Sequence, residues 1–342
     1  MEFIKPDTNI NFIGQRKTVF FFSLFLILAS ILTLIVHKGP KYGVDFAGGT
    51  QFIVKYENSI STGNVRNKLL DSGLKSPVIQ KFGENEENQF QIRLLDSEHI
   101  DSAFIKNFAS FISLDKNNAE VLSVDMVGPQ VSQELRSKAL LAIFYSLLFI
   151  TIYISGRFEM KWGESAVIAG SLMAAVYFLS LLSISIPYLI LFALTASLII
   201  FWYRDLRFAM GAICALIHDV IITVGLFSLL DIEFNLPIIA ALLTIIGYSL
   251  NDTIIVFDRI RENLKSERER LGLAQLINKS INETLSRTIL TSGTTLLVLI
   301  SLFVLGGGII HDFSLAMITG IVIGTYSSIF IASPILLAWK SK

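Results

Sequence analysis

The sequence predicts a polytopic α-helical membrane protein of about eight spans, carrying one water-soluble α+β domain outside the cytoplasm. Three observations lead there. Of 342 residues, 53% are hydrophobic and 16% charged, with a mean hydropathy of +0.63, the balance of a chain that lives in lipid. Apolar runs of spanning length recur from end to end. Charge is also segregated: residues 38–138 hold 12 Lys+Arg and 13 Asp+Glu, and the other 16 basic residues fall at the ends of apolar runs. A net charge of zero gives no argument for nucleic acid. The single cysteine, Cys214, excludes an intrachain disulfide and a cysteine metal cluster.

The first run, 19–36, follows Arg16 and Lys17. It is longer than a signal-peptide core, and HKGPKYG follows it in place of a small-residue cleavage site, so it is expected to be a retained span. Residues 38–138 then read as soluble protein. Phe52, Val54 and Tyr56 alternate as in a half-buried strand. Residues 64–72 look helical, between a Ser61/Thr62 cap region and Gly73. Residues 78–82 and 89–95 form a hairpin pattern. Ile100, Phe104, Ile105, Phe108, Phe111 and Ile112 fall at helical spacing, and 120–127 is a last strand. Strand, helix, two strands, helix, strand is the order of a ferredoxin-like α+β domain. It holds no His/Cys cluster, paired bases or phosphate loop, so a binding or mechanical role is favoured, and the chain is expected to be no enzyme and to use no metal or cofactor. At its entrance stands YGVDFAGGT, with Gly43, Asp45, Gly48 and Gly49. A glycine pair permits a tight turn into the first strand. A phosphate loop would need a helix and a basic residue after it, and here a strand follows.

Seven further apolar runs follow, at 139–155, 166–186, 188–203, 209–230, 236–257, 288–305 and 313–339. The run 188–203 is short enough that a re-entrant segment is the alternative. Eight spans satisfy the positive-inside rule with both termini cytoplasmic. Arg157/Lys161, Arg204/Arg207, the Arg259 to Lys279 loop and Lys340/Lys342 then lie inside, while SISIP, DIEFN and GGGIIHD, outside, contain no Lys or Arg. The stretches YISGRFEMKWGESAVIA and FWYRDLRFAMGAICA echo one another at an offset of 46 residues, the length of one hairpin of two spans. The expected organisation is 1–37, N-terminus and first span; 38–138, extracytoplasmic domain; and 139–342, helical bundle. The bundle includes a hairpin near 162–206 and a cytoplasmic segment, 258–287, in which NLKSERERLGLAQLINKSI, between Arg261 and Arg287, is expected to be an amphipathic helix on the membrane surface.

Ionisable residues inside apolar runs are the candidate site. A carboxylate within a span costs about 2.5–3.5 kcal/mol on insertion scales and by default marks a pathway. Asp252 lies 16 residues after Leu236, roughly 24 Å into a core of roughly 30 Å. Arg287 enters the next span from the cytoplasmic side at a similar depth, so the two side chains are able to meet. Such a pair would hold the acid ionised, and separating it would favour proton uptake, as a proton-driven switch requires. The alternatives are a structurally satisfied Asp252 and an Arg287 that snorkels to the interface. His218-Asp219 is either a relay step or a helix-packing hydrogen bond. Gly293 in SGTT and Gly320/Gly324/Ser328 are small residues at close-packing spacing.

YGVDFAGGT, VGPQVSQELR, LIHDVIITVGLFSLLDIEFNLPIIAALLTIIGYSLNDTIIVFDRIREN and SRTILTSGTTLLV resemble the SecF family, the smaller subunits of bacterial SecD–SecF protein-export complexes. The resemblance covers nearly the whole chain. It implies a six-span half of a proton-driven exporter-like fold in the bacterial inner membrane, with one periplasmic domain and with SecD as the other half. It further implies that the pair uses the proton-motive force to complete translocation through SecYEG. The implied partners are SecD, SecYEG, unfolded secretory proteins, protons and membrane lipid, and no nucleic acid. By matching motifs, Asp252 and Arg287 correspond to proton-coupling residues and His218-Asp219 to the LxHDV motif, while Gly247, Asp258 and Arg259 belong to the GYSLND…FDRIREN run. Eight spans depart from the family's six, the surplus falling near 162–206. Two other functions stand beside this one: half of a proton-driven exporter of small molecules or lipids, and a membrane assembly factor whose charges are structural.

Overall fold

Long helices form along the apolar runs, and several continue past the lipid-length stretch, three of them to 31, 32 and 33 residues. The computed structural model describes residues 9–71, 74, 77–82, 88–94, 102–114, 117–181, 184–267 and 269–338. Among these, eight helical segments are long and apolar enough to cross a membrane. They contain α1 (Arg16–Val36), α5 (Pro129–Glu159), α6 (Trp162–Ser180), α7 (Ile186–Tyr203), α8 (Arg207–Leu229), α9 (Leu236–Glu267), α10 (Leu273–Leu305) and α11 (Gly308–Ser327). The run at 188–203 lies in a helix of 18 residues, Ile186–Tyr203, long and apolar enough to cross a membrane. Past α11 the chain continues through a π-helical turn, Ser328–Ala332, to Ala338. Pro334, which cannot donate to the carbonyl four residues back and crowds it, follows that wider turn directly.

Between α1 and α5 lie α2 (Val44–Ala47), β1 (Gly49–Tyr56), α3 (Thr62–Asp71), β2 (Val78–Phe82), β3 (Gln89–Leu94), α4 (Ser102–Ile112) and β4 (Ala119–Val127). The strands form one sheet in the order β2-β3-β1-β4, and every pairing is antiparallel. Its inner face carries the alternating residues: Phe52, Val54 and Tyr56 pack with Phe90, Ile92, Val65, Leu69, Phe108 and Ile112. Phe52 and Phe108 stack with ring centroids 3.8 Å apart, and the Tyr56 hydroxyl donates to the Ile112 carbonyl at 3.2 Å. Burial pushes the Tyr56 phenol up to about 12. The expected features at Ser72, Gly73, Leu95, Ile100, Trp339, Lys340 and Lys342 lie outside the described residues.

Three expectations need revision. The helix expected from residue 139 starts ten residues earlier, because Pro129 pre-sets the first helical position after Gly128. The run expected at 166–186 forms a helix that begins at Trp162 and ends at Ser180. The charged segment 258–287 forms no separate surface helix. Instead α9 and α10 run on through it as an antiparallel pair, and the chain turns just before Gly272, the N-cap of α10. The charges that suggested an amphipathic helix pair across that hairpin: Arg259 with Glu283 at 2.6 Å, Lys279 with Glu267 at 2.6 Å, and Asn263 on Ser280 and Glu283.

Helices α6 and α7 form a hairpin that packs on α5 through Phe144, Leu148, Ala169, Leu172, Val176, Leu189 and Ala193. The chain closes on itself across it. Glu159, the last residue of α5, accepts the Phe208 N–H in the first turn of α8 at 2.8 Å, and Phe158 stacks on Phe208 at 5.2 Å. Lys161 donates to the Arg204 carbonyl, and Arg204 pairs with Glu164. Helices α5 and α8 thus meet end to end, as they would if joined directly.

Candidate proton-handling core

Helices α8, α9, α10 and α11 enclose both intramembrane carboxylates. Close approach is set by small residues: a Cβ on Gly324 would fall 2.8 Å from Ser249 Cβ, and one on Gly320 would fall 2.3 Å from Ile245. Without side chains there, α11 lies against α9 and brings its hydroxyls to the acids.

Asp219 on α8 is fully buried. One carboxylate oxygen lies 2.9 Å from His218 Nδ1, and the other accepts Ser249 Oγ from α9 at 2.6 Å and Ser327 Oγ from α11 at 2.8 Å. Both oxygens are satisfied. His218 Nε2 is buried with no hydrogen-bond partner among the described residues. The His218 ring stacks on Tyr326 at 6.0 Å, and the Tyr326 hydroxyl bonds Ser23 Oγ on α1 at 2.7 Å. Polar contact therefore runs from the bundle centre out to the first helix.

Asp252 on α9 is 1% exposed. Its Oδ2 accepts Ser292 Oγ from α10 at 3.1 Å and Thr325 Oγ1 from α11 at 3.2 Å, and those two hydroxyls are 2.7 Å apart. Its Oδ1 is buried without a partner among the described residues. A buried carboxylate oxygen left unpaired is costly if charged, and a proton on it removes most of that cost.

The structure does not bring Arg287 to Asp252. Arg287 is exposed on α10, and no ion pair of Arg287 occurs among the described residues. Ser292 lies five residues further on, which is about 140° around the helix from Arg287. Depth alone suggested the pair, and helix rotation turns the guanidinium away. Sequence reasoning also missed the true partners of the acids. Spacing alone reads Ser292, within SGTT, as a close-packing residue and does not single out Ser249, Thr325 or Ser327. The available signal was a hydroxyl residue one or three positions from an acid or a glycine: Ser249 from Asp252, Ser292 from Gly293, Thr325 and Ser327 from Gly324.

The remaining motif residues divide into three groups. Asp258 pairs with Arg157 at 2.6 Å and Arg259 bridges Glu262 and Glu283, so FDRIREN ties α9 to α5 and α10. Gly43, Asp45, Gly48 and Gly49 lie where the α+β unit meets the bundle. Gly247 and Gly293 have nothing within 4 Å of where a Cβ would stand, so neither serves close packing within this chain.

At that meeting point Glu233, in the α8–α9 loop, lies 3.3 Å from Arg93 on β3, both under a tenth exposed. Arg93 also donates to the Tyr42 carbonyl. Burial raises the Glu233 carboxyl above the usual range, Arg93 and Lys41 oppose that, and Asp231 and Asp312 reinforce it.

Comparison with known proteins places this geometry. Residues 107–194 and 180–342 match the family model for the C-terminal region of the protein export membrane proteins SecD/SecF, and residues 33–60 match that of the SecD/SecF GG motif. The two stretches of the first match overlap within the α6–α7 hairpin. A protein translocase subunit SecF of Magnetococcus marinus is 41% identical over 98% of this chain and 94% of its own length. That of Calditerrivibrio nitroreducens is 38% identical over 100% of this chain and 97% of its own. Crystalline SecDF of Thermus thermophilus, a translocon-associated membrane protein, superposes with a TM-score of 0.72 at 34% identity, covering 98% of this chain and 39% of that one. An intramembrane carboxylate core under a GG-motif joint, with matches of this extent, is a multi-pass membrane protein whose family is shown: the chain belongs to the SecF family.

Proposed function

We propose that this chain is an accessory subunit of Sec protein export that works with SecD, coupling the proton-motive force to late steps of translocation at SecYEG across the bacterial inner membrane. The observation that carries the coupling is Asp252: a carboxylate 1% exposed within a span, with one oxygen on two hydroxyls and the other unpaired. The unpaired oxygen leaves room for a proton, and the Ser292 and Thr325 hydroxyls can donate to the charged acid or accept from the protonated one. His218-Asp219 forms the second node, and Arg287 acts from the exposed face of α10.

The partner reading has its own support. Thr244, Gly247 and Asn251 form an exposed line on the membrane-spanning part of α9, and polar groups facing lipid are costly unless protein covers them. SecD seated there covers them. The strand order β2-β3-β1-β4 within a βαββαβ chain supports a ferredoxin-like domain, and the basic residues at the opposite end of the bundle support a periplasmic position for it. The end-to-end meeting of α5 and α8 supports reading α6–α7 as a hairpin added to six family spans. Nothing in this role calls for catalytic chemistry or a cofactor.

The test is Asp252→Asn in inverted vesicles containing the full complex. Loss of the proton-dependent late step with normal insertion supports the reading. Full activity would sink it and leave the assembly-factor alternative.

A further inference from the structure

The YGVDFAGGT motif has a definite mechanical setting. Asp45 Oδ2, on α2, accepts the Leu236 N–H at 2.8 Å, where α9 begins, and Asn235 Oδ1 accepts that of Ile238. A carboxylate at a helix N-terminus meets unpaired N–H groups and the positive end of the helix dipole. Gly43 N donates to the Phe234 carbonyl at 2.7 Å, and Phe234 N donates to that of Lys41 at 2.7 Å. A Cβ at Gly43 would stand 3.0 Å from the Phe234 oxygen. On the other side, Gly48 and Gly49 take φ of +77° and +108°, Gly48 rests on Ser132 of α5, and β1 starts at Gly49. Arg136 of α5 lies over the Tyr42 ring at 4.3 Å. Beside this joint a cleft of about 1210 Å³ lies between sheet and bundle, lined by Gln51, Gln80, Gln91, Phe303 and His311. The motif is thus a short bridge from the first turn of α9 to the first residue of β1.

We infer that this bridge is a transmission joint, with Asp45 its positioning residue: displacement of α9 when Asp252 changes protonation state is carried through Asp45 and the Gly43–Phe234 pairing into β1 and the sheet. The inference rests on the proton-coupling reading of Asp252. Helix α9 is one unbroken helix from Leu236 through Asp252, so a shift at the acid reaches its capped end, and the sheet hydrogen bonds of β1 to β3 and β4 carry it across the domain.

The experiment measures proton flux and polypeptide export side by side in proteoliposomes holding the complete complex. Asp45→Ala is expected to lower export about tenfold while proton flux stays within about twofold. Asp45→Asn, which keeps an acceptor oxygen, should recover at least half of the lost export, and it serves also if the alanine variant assembles poorly. Hydrogen exchange should speed at the Gly43 and Phe234 amides in the alanine variant and not around Asp252. Flux and export falling in the same proportion, or neither changing, would overturn the joint. An Asp252→Asn control separates the two ideas. If it abolishes both signals while Asp45→Ala leaves their ratio untouched, the joint alone fails. If it changes neither, the proton reading fails and takes the joint with it.

Discussion

The two carboxylates inside the bundle are equally buried and unequally satisfied. Asp219 has a donor on each oxygen, from three helical positions; Asp252 has two longer contacts on one oxygen and none on the other among the described residues. A fully bonded buried acid holds helices together, and losing it leaves donors stranded. A half-bonded one has room to change state. Burial by itself therefore does not distinguish an acid held fast by its neighbours from one with an oxygen left open; the count of partners per oxygen does.

Substitutions can break this contrast. The largest effect is expected at Asp252, where Asn should abolish proton-dependent export while the thermal unfolding of the detergent-solubilised protein changes little. Asp219→Ala should do the reverse in stability, costing about 2–4 kcal/mol because Ser249, Ser327 and His218 lose their acceptor. Thermal unfolding followed by intrinsic fluorescence checks it, and equal destabilisation at both acids would erase the distinction. Ser327→Ala, removing one of three donors, should cost about 1 kcal/mol.

A smaller effect concerns Glu233. Its carboxyl is held above the usual range in the docked arrangement, so the proton binds more tightly docked than undocked. Docking of the sheet on the α8–α9 loop is then favoured at low pH and weakens as pH rises through the raised value. Hydrogen exchange at Phe234, corrected for intrinsic rate, should show that trend, and Glu233→Gln should flatten it. The smallest effect is at Tyr56. With its phenol at about 12 against an ordinary 10, the domain keeps this contribution below pH 10 and loses it as pH climbs toward 12. Tyr56→Phe should remove that alkaline loss and cost about 1 kcal/mol at neutral pH.

Much of this was legible in one dimension. Alternation at Phe52, Val54 and Tyr56 and helical spacing from Phe104 to Ile112 located strands and helix, because a period of two or of 3.6 is fixed by backbone geometry alone. Residues of the FDRIREN run were visible as a charged close to a span, although their role in stapling α9 to α5 and α10 was not. The charged segment 258–287 was misjudged because periodicity reports an amphipathic helix without saying what covers its polar face. Here Asn263 and Glu283, and Glu267 and Lys279, cover one another across a hairpin.

The sequence by itself determined that this chain holds eight apolar segments long enough to cross a membrane, carries one α+β unit, and places acids at 219 and 252 where lipid would forbid them. These follow from transfer free energy and local periodicity, which each segment possesses alone. Only the tertiary structure decided what those acids touch. Helix rotation turned Arg287 outward and Ser292 inward, and two glycines let α11 approach closely enough for Thr325 and Ser327 to reach α9 and α8. It also decided that Asp45 caps α9. Partners of that kind depend on the relative rotation and spacing of elements up to 191 residues apart in the chain, a property no single segment encodes.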